Sequence, residues 1–186
     1  HLNYTRDELH TIFRHNWKSQ ERLLLSILIT TGMRLSEAAN LSWERFSEDH
    51  DGIQGMRCFS LLNTNDEIVA VKNKGSMRII PLHPDLVLPP KGIGRLFDYK
   101  MNEDGLASHD AGRAINPTLQ KLFPHPQKMA HSFRGTLKEL LRDAGVSKEI
   151  SDFYTGHSSG DVAGTRYGGV GVDTRYIEIS KAQHPW

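Results

Sequence analysis

Apolar residues in this chain recur at helical spacing over two long stretches and bunch into short runs between them. Over 5–16, Leu9, Ile12 and Phe13 share one helical face, and Thr5 with Glu8 forms a capping box at its start. Over 20–31 the run from Leu23 to Ile29 is apolar nearly all round, which predicts a central buried helix. Gly32 is a natural stop for it. A third helix is expected over about 35–42, with Leu35, Ala38 and Ala39 inward. Arg34 then falls at a turn between two helices, held by the most buried element.

From residue 55 the period shortens. Runs at 56–62, 67–72 and 77–82 have β-type composition, and Asn63-Thr64-Asn65-Asp66 and Asn73-Lys74-Gly75-Ser76 make good turns between them. This predicts a three-stranded antiparallel sheet with Lys72 beside the tip of its second hairpin, ended by Pro81 and Pro84. Over 83–107 the pattern is weak, with a surface turn at 88–92 and a short helix at 93–100. Ser108 is placed as the cap of a helix over 109–122 that Pro117 kinks or divides. Helices follow at 131–144, stopped by Gly145, and at 148–155, capped by Ser147 and stopped by Gly156. A short helix is expected from Asp161 toward Tyr167. The tail 170–186 reads equally as strand or helix, packed on this chain or on a neighbour. The fold class is α+β, mainly helical, with a small three-stranded antiparallel sheet.

Composition narrows the picture. At 186 residues the chain has the size of a single domain, 1–186, and can bury a core. It carries 23 Lys+Arg against 22 Asp+Glu, so net charge alone does not announce a nucleic-acid binder, and any such case rests on where the cations sit. Cys58 is the single cysteine and lies in an apolar run, so it reads as a buried strand thiol in a cytoplasmic setting. No run approaches the ~18 apolar residues of a membrane span, and no signal-peptide pattern opens the chain. The first residue, His1, reads as the start of an excised fragment.

Placed on a helix at about 100° per residue, His131, Arg134, Lys138 and Arg142 fall in one stripe. Phe133, Leu137, Leu140, Leu141 and Ala144 lie broadly opposite, so one face packs while the other offers imidazole and cations to an anion. Arg34 and Arg134 can each hold phosphate oxygens in a bidentate fork, and Glu37, three residues after Arg34, can hold that guanidinium in place. Imidazole as a group suits proton transfer or donation to phosphate near neutrality, which makes His131 and His157 candidates for those tasks. Tyr167 is the candidate nucleophile, with Tyr154 and Tyr176 as rivals; Tyr154 shares the inward side with Ile150 and reads as core. Lys72 can protonate a leaving oxygen, and Lys74, two residues on, points to the same side of a strand. HExxH and CxxC are absent, so no metal or other cofactor is expected.

In this order, T-G-M-R-L-S-E-A at 31–38, V-K-N-K-G-S-M-R-I-I-P-L at 71–82, H-S-F-R-G-T at 131–136 and T-G-H-S-S-G…T-R-Y-G ending at Gly168 resemble the catalytic domain of the tyrosine recombinase (phage integrase) family. The resemblance implies that Arg34 and Arg134 clamp the scissile phosphate of double-stranded DNA. His131 is then the proton shuttle, Lys72 the general acid for the 5′-oxygen and His157 a phosphate ligand. Tyr167 would form a 3′-phosphotyrosyl enzyme without ATP or metal. Lys74, Arg78 and Lys138 are expected to touch DNA. The resemblance further implies a phage or mobile-element integrase that acts as a homotetramer on specific sites, with accessory DNA-bending proteins and an N-terminal DNA-binding domain outside this stretch. The sequence departs from the common pattern at Thr155, where Leu is frequent, at Ser132, where an acid is, and at Asn73, where Thr is. Two other readings stand beside it: a type IB topoisomerase-like or telomere-resolving enzyme, and a DNA-binding module without catalysis.

Overall fold

A computed structural model describes residues 1–63, 77–156 and 171–184. The first helix, α1 (Arg6–Arg14), opens on the expected capping box: the Glu8 amide donates to Thr5 Oγ1 and the Thr5 amide to Glu8 Oε2, at 3.3 and 2.8 Å. Helix α2 (Ser19–Thr31) is buried along most of its length and ends at Gly32, whose φ of +59° is the left-handed conformation that glycine adopts without steric cost. Arg34 caps α3 (Leu35–Ala39), which buries Ala38 and Ala39 as expected.

Among the described residues the sheet has three antiparallel strands, in the order β1 (Phe46–Ser47), β2 (Cys58–Ser60), β3 (Ile79–Pro81). Phe46 lies opposite Phe59, and Cys58 opposite Pro81. Two of the three expected strands are therefore present, while the run at 67–72 lies outside the described residues. The third observed strand, β1, was not expected. It is two residues long and sits in the acidic stretch 44–51, with no alternation to reveal it. Cys58 is buried as expected, and its thiol is pushed up to about 12 by that burial.

The helix expected at 93–100 is absent. That segment is extended and laid against the turn after α3: Trp43 donates to the Gly94 carbonyl and Leu96 to the Leu41 carbonyl, at 2.9 and 2.8 Å. The Gly94 and Asp98 amides are also taken, by the Glu44 and Gln20 side chains, so a local helix would lose these donors. Helix α4 (Ser108–Leu122) is one element that carries Pro117 without dividing. Ser108 does not cap it; Ala107 holds that position, and its own amide donates to Asn40 Oδ1 at 2.9 Å.

Helix α5 (Ser132–Asp143) packs between α2 and α6 (Lys148–Thr155), burying Phe133, Leu137, Leu140 and Leu141. Ser147 caps α6 and Gly156 ends it in the left-handed region, both as expected. The tail forms a helix, α7 (Val172–Ile179), seated on β3 and α6 of the same chain. Its Arg175 is buried, with the guanidinium 4.1 Å from the Phe153 ring centroid and Nη1 donating to the Ile79 carbonyl at 3.2 Å. No helix among the described residues is long and apolar enough to cross a membrane.

Candidate active site

Where α2 stops and α3 begins, the left-handed turn at Gly32 reverses the chain and sets Arg34 at the start of α3 in extended conformation. Glu37 then reaches back to it. Its Oε2 accepts the Arg34 amide at 3.0 Å, and its Oε1 accepts Nη1 at 2.7 Å. Glu37 is only 3% exposed, and Arg78 Nη2 lies 3.2 Å from its other oxygen. Burial pushes this carboxyl up, but Arg78 beside it and the hydrogen bonds from Arg34 outweigh that and hold it below the usual carboxylate range.

From the facing side, α5 brings Arg134. Its side chain is 3% exposed, and Nη1 donates to the Gly32 carbonyl at 2.6 Å, two residues before Arg34. Burial, then the like charges of Arg34 and Arg78, lower the Arg134 guanidinium to about 10, so it stays protonated at neutral pH. Arg34 and Arg134 thus meet at one place, the α2–α3 turn. The expected solvent-facing cationic stripe on α5 does not form as drawn. Arg134 turns into the interior, Arg142 is exposed, and Lys138 Nζ pairs with Asp152 Oδ1 at 2.5 Å beside Lys148.

His131 directly precedes α5, one turn before Arg134, and is exposed; its ring lies 4.6 Å from that of His1. Tyr154 is core: it is 1% exposed, and its hydroxyl lies 3.0 and 2.7 Å from the Thr30 and Pro81 carbonyls. Burial pushes that phenol far up, which removes it as a rival nucleophile. Tyr176 is half-buried on α7. Lys72, Lys74, His157 and Tyr167 lie outside the described residues. Among the described residues, no group of three His, Cys, Asp or Glu side chains is gathered as metal ligands.

Arg78 departs from expectation. Placed by the sequence on DNA, it is 3% exposed, with Nε donating to the Tyr154 carbonyl at 2.9 Å and Nη2 against Glu37. Both of these bonds are made inside the protein, beside the arginine pair. A signal for this was present: Arg78 alternates with Ile80 and Leu82, the buried side of the third apolar run, and a charge in that register needs an internal partner.

The sequence matches no family model and no curated protein. Solved structures do share its fold. An integrase from mycobacterium phage Brujita superposes with a TM-score of 0.66 at 13% identity, over 96% of this chain and 57% of that one. The XerH site-specific recombinase, bound to its difH substrate in a pre-cleavage complex, gives 0.57 at 18% identity, over 86% of this chain and 47% of that one. The Tn1549 transposon integrase in complex with circular intermediate DNA gives 0.53 at 17%, over 97% of this chain and 66% of that one. All three are tyrosine recombinases, and the fold here is that of their catalytic domain. This chain spans 57% and 47% of the length of the first two.

Proposed function

We propose that this chain is the catalytic domain of a site-specific DNA recombinase or integrase, which cuts and rejoins DNA strands through a 3′-phosphotyrosyl intermediate. The observation that carries the reading is the meeting of Arg34 and Arg134 at the Gly32 turn, in a fold shared with recombinases bound to DNA. Two preorganised guanidiniums at one turn, Arg134 buried and Arg34 part-exposed, suit the extra negative charge on phosphoryl oxygens during transfer.

The remaining roles come from the sequence. The Tyr167 phenol oxygen attacks phosphorus in line and gives its proton to His131, which sits one turn from Arg134. The bond from phosphorus to the 5′-oxygen breaks, and that oxygen takes a proton from Lys72. His157 donates to a non-bridging oxygen. A 5′-hydroxyl from a partner strand reverses each step, and the ester energy stays in the protein–DNA link, so ATP is not consumed. The reading extends to a phage or mobile element as source, to a homotetramer on DNA and to accessory bending proteins.

Nicked duplexes from a randomised library, which lose a short 5′ fragment on cleavage and cannot religate, will trap and identify the preferred site. The chain is expected to form a covalent adduct through Tyr167, with Tyr167→Phe binding the same duplex but forming none. An adduct mapped to Tyr176 overturns the nucleophile. Adducts on every duplex regardless of sequence favour a topoisomerase-like enzyme, and no adduct at all leaves a DNA-binding module.

A further inference from the structure

The clamp reading above uses Arg34 and Arg134, and a further, buried guanidinium, that of Arg78, lies beside them with no part in it. Arg78 directly precedes β3 and shares a side with the buried Ile80 and Leu82. A charge at such a position costs free energy unless its donors are met. Here they are met by two elements that matter to the site. Nη2 lies 3.2 Å from Glu37 Oε2, the carboxylate whose other oxygen holds Arg34 at 2.7 Å. Nε donates at 2.9 Å to the Tyr154 carbonyl, in the last turn of α6. Gly156 makes room for this: a Cβ there would fall 2.8 Å from Nη1 and 3.0 Å from Cζ of Arg78. The guanidinium therefore lies directly under the end of α6, in space that any side chain at 156 would take.

We propose that Arg78 is the positioning residue of this site: it holds Glu37 in line between itself and Arg34, ties β3 to the end of α6, and so fixes the direction in which the Arg34 fork faces a bound phosphate. The proposal rests on the phosphate-clamp reading above. Glu37 divides its oxygens between two guanidiniums: Oε1 takes that of Arg34, and Oε2, which also accepts the Arg34 amide, takes that of Arg78. With Arg78 gone, Oε2 keeps the Arg34 amide but loses its guanidinium, so both oxygens compete for the Arg34 side chain and draw it inward, away from an incoming anion. Among the described residues, the charged groups facing Glu37 are Arg78 from the start of β3, Arg34 from its own turn and Arg134 from α5.

Two measurements separate this role from simple packing. The first uses inorganic tungstate, a tetrahedral oxyanion, and reads the rise in unfolding temperature of the chain with tungstate concentration. The parent chain is expected to be stabilised, and folded Arg78→Met to need at least tenfold more tungstate. Arg78→Lys keeps the charge against Glu37 but loses the bond to Tyr154, and is expected to fall between them; it carries the test if Arg78→Met does not fold. Equal tungstate dependence in parent and variant overturns the proposal. No response in the parent removes the clamp itself, and the proposal with it. The second compares cleavage of the trapped duplex with a natural phosphodiester and with a neutral methylphosphonate at the scissile position. A variant that misdirects Arg34 should lose tenfold or more on the charged substrate and under threefold on the neutral one, where there is less charge to neutralise. Equal losses on both assign Arg78 to packing alone.

Discussion

A guanidinium inside a protein needs its donors satisfied and its charge answered, and these are separate demands. Arg134 meets the first through the Gly32 carbonyl, while the charges of Arg34 and Arg78 oppose its own and that of Glu37 favours it. Loss of solvent first, and then the like charges of Arg34 and Arg78, lower Arg134 to about 10. On the proposed function, an arriving phosphate would add negative charge beside these arginines, more of it in the transition state than in the ground state. Arg34→Ala and Arg134→Ala are therefore each expected to cost about 3 kcal/mol of transition-state stabilisation, on the order of 100-fold in rate. Single-turnover cleavage of the trapped duplex checks this, with unfolding temperature measured alongside, and a loss below tenfold in either variant contradicts the clamp. Both arginines were legible in the sequence because each stands in a short motif with its partner, Glu37 or His131, at helical spacing. The place of Arg78 was not, because its partners Glu37 and Tyr154 are 41 and 76 residues away.

At the scale of elements, the legible parts are those whose cause is local. A capping box, a glycine stop and a one-sided apolar pattern placed α1, α2, α5 and α6 to within about two residues of their ends. What local pattern could not give was set by partners far along the chain: β1, which exists only because Phe59 pairs with Phe46, and the extended segment at 93–100, held by backbone bonds to Leu41 and Trp43. The junction that matters most is Gly32, which stops α2, aims Arg34 and offers its carbonyl to Arg134. A Cβ there would lie 2.8 Å from Thr155 Cγ2 and 3.0 Å from Leu137 Cδ2, on top of the strain at φ +59°. Gly145 is a control, with φ +79° and nothing within 4 Å of its would-be Cβ. Gly145→Ala is expected to cost only the left-handed strain, about 1 kcal/mol. Gly32→Ala adds crowding against α5 and α6 and is expected to cost ~2 kcal/mol or more, lowering the melting temperature by roughly 4–8 °C. Calorimetry of the two variants decides it: equal costs mean that α5 and α6 yield to the added methyl without loss.

For the whole molecule, the question is how the last helix is held, since the sequence left α7 free to dock here or elsewhere. Arg175, Ile179 and Ala182 are buried, and a pair of histidines lies where the end of the tail meets the segment after β3. His83, 3% exposed, has Nε2 3.0 Å from the Ala182 carbonyl, while Nδ1 accepts the Asp85 amide at 3.1 Å; both ring nitrogens are used by one neutral tautomer. The His184 ring stands edge-on to it, with centroids 4.6 Å apart. Loss of solvent, then the neighbouring His83, push His184 down to about 3. Burial lowers His83 too, and Arg57 adds to that, against the opposing pull of the Asp85 carboxylate 3.8 Å away and of the carbonyls of Ala182 and Ser180. Both shifts have the same sign. An undocked tail binds protons as pH falls below the ordinary histidine value of about 6.5, and the docked tail does not, so docking is fully favourable above that pH and weakens progressively toward pH 3. Between pH 7 and 5, before most carboxylates titrate, amides of α7 should lose protection from hydrogen exchange relative to those of α5, after correction for intrinsic rates. His184→Phe keeps an edge-on ring and removes one titrating group, and should flatten that dependence. Protection of α7 that is unchanged over this range in the parent chain, or equally pH-dependent in His184→Phe, means that Arg175 and the apolar contacts hold the tail without the histidines.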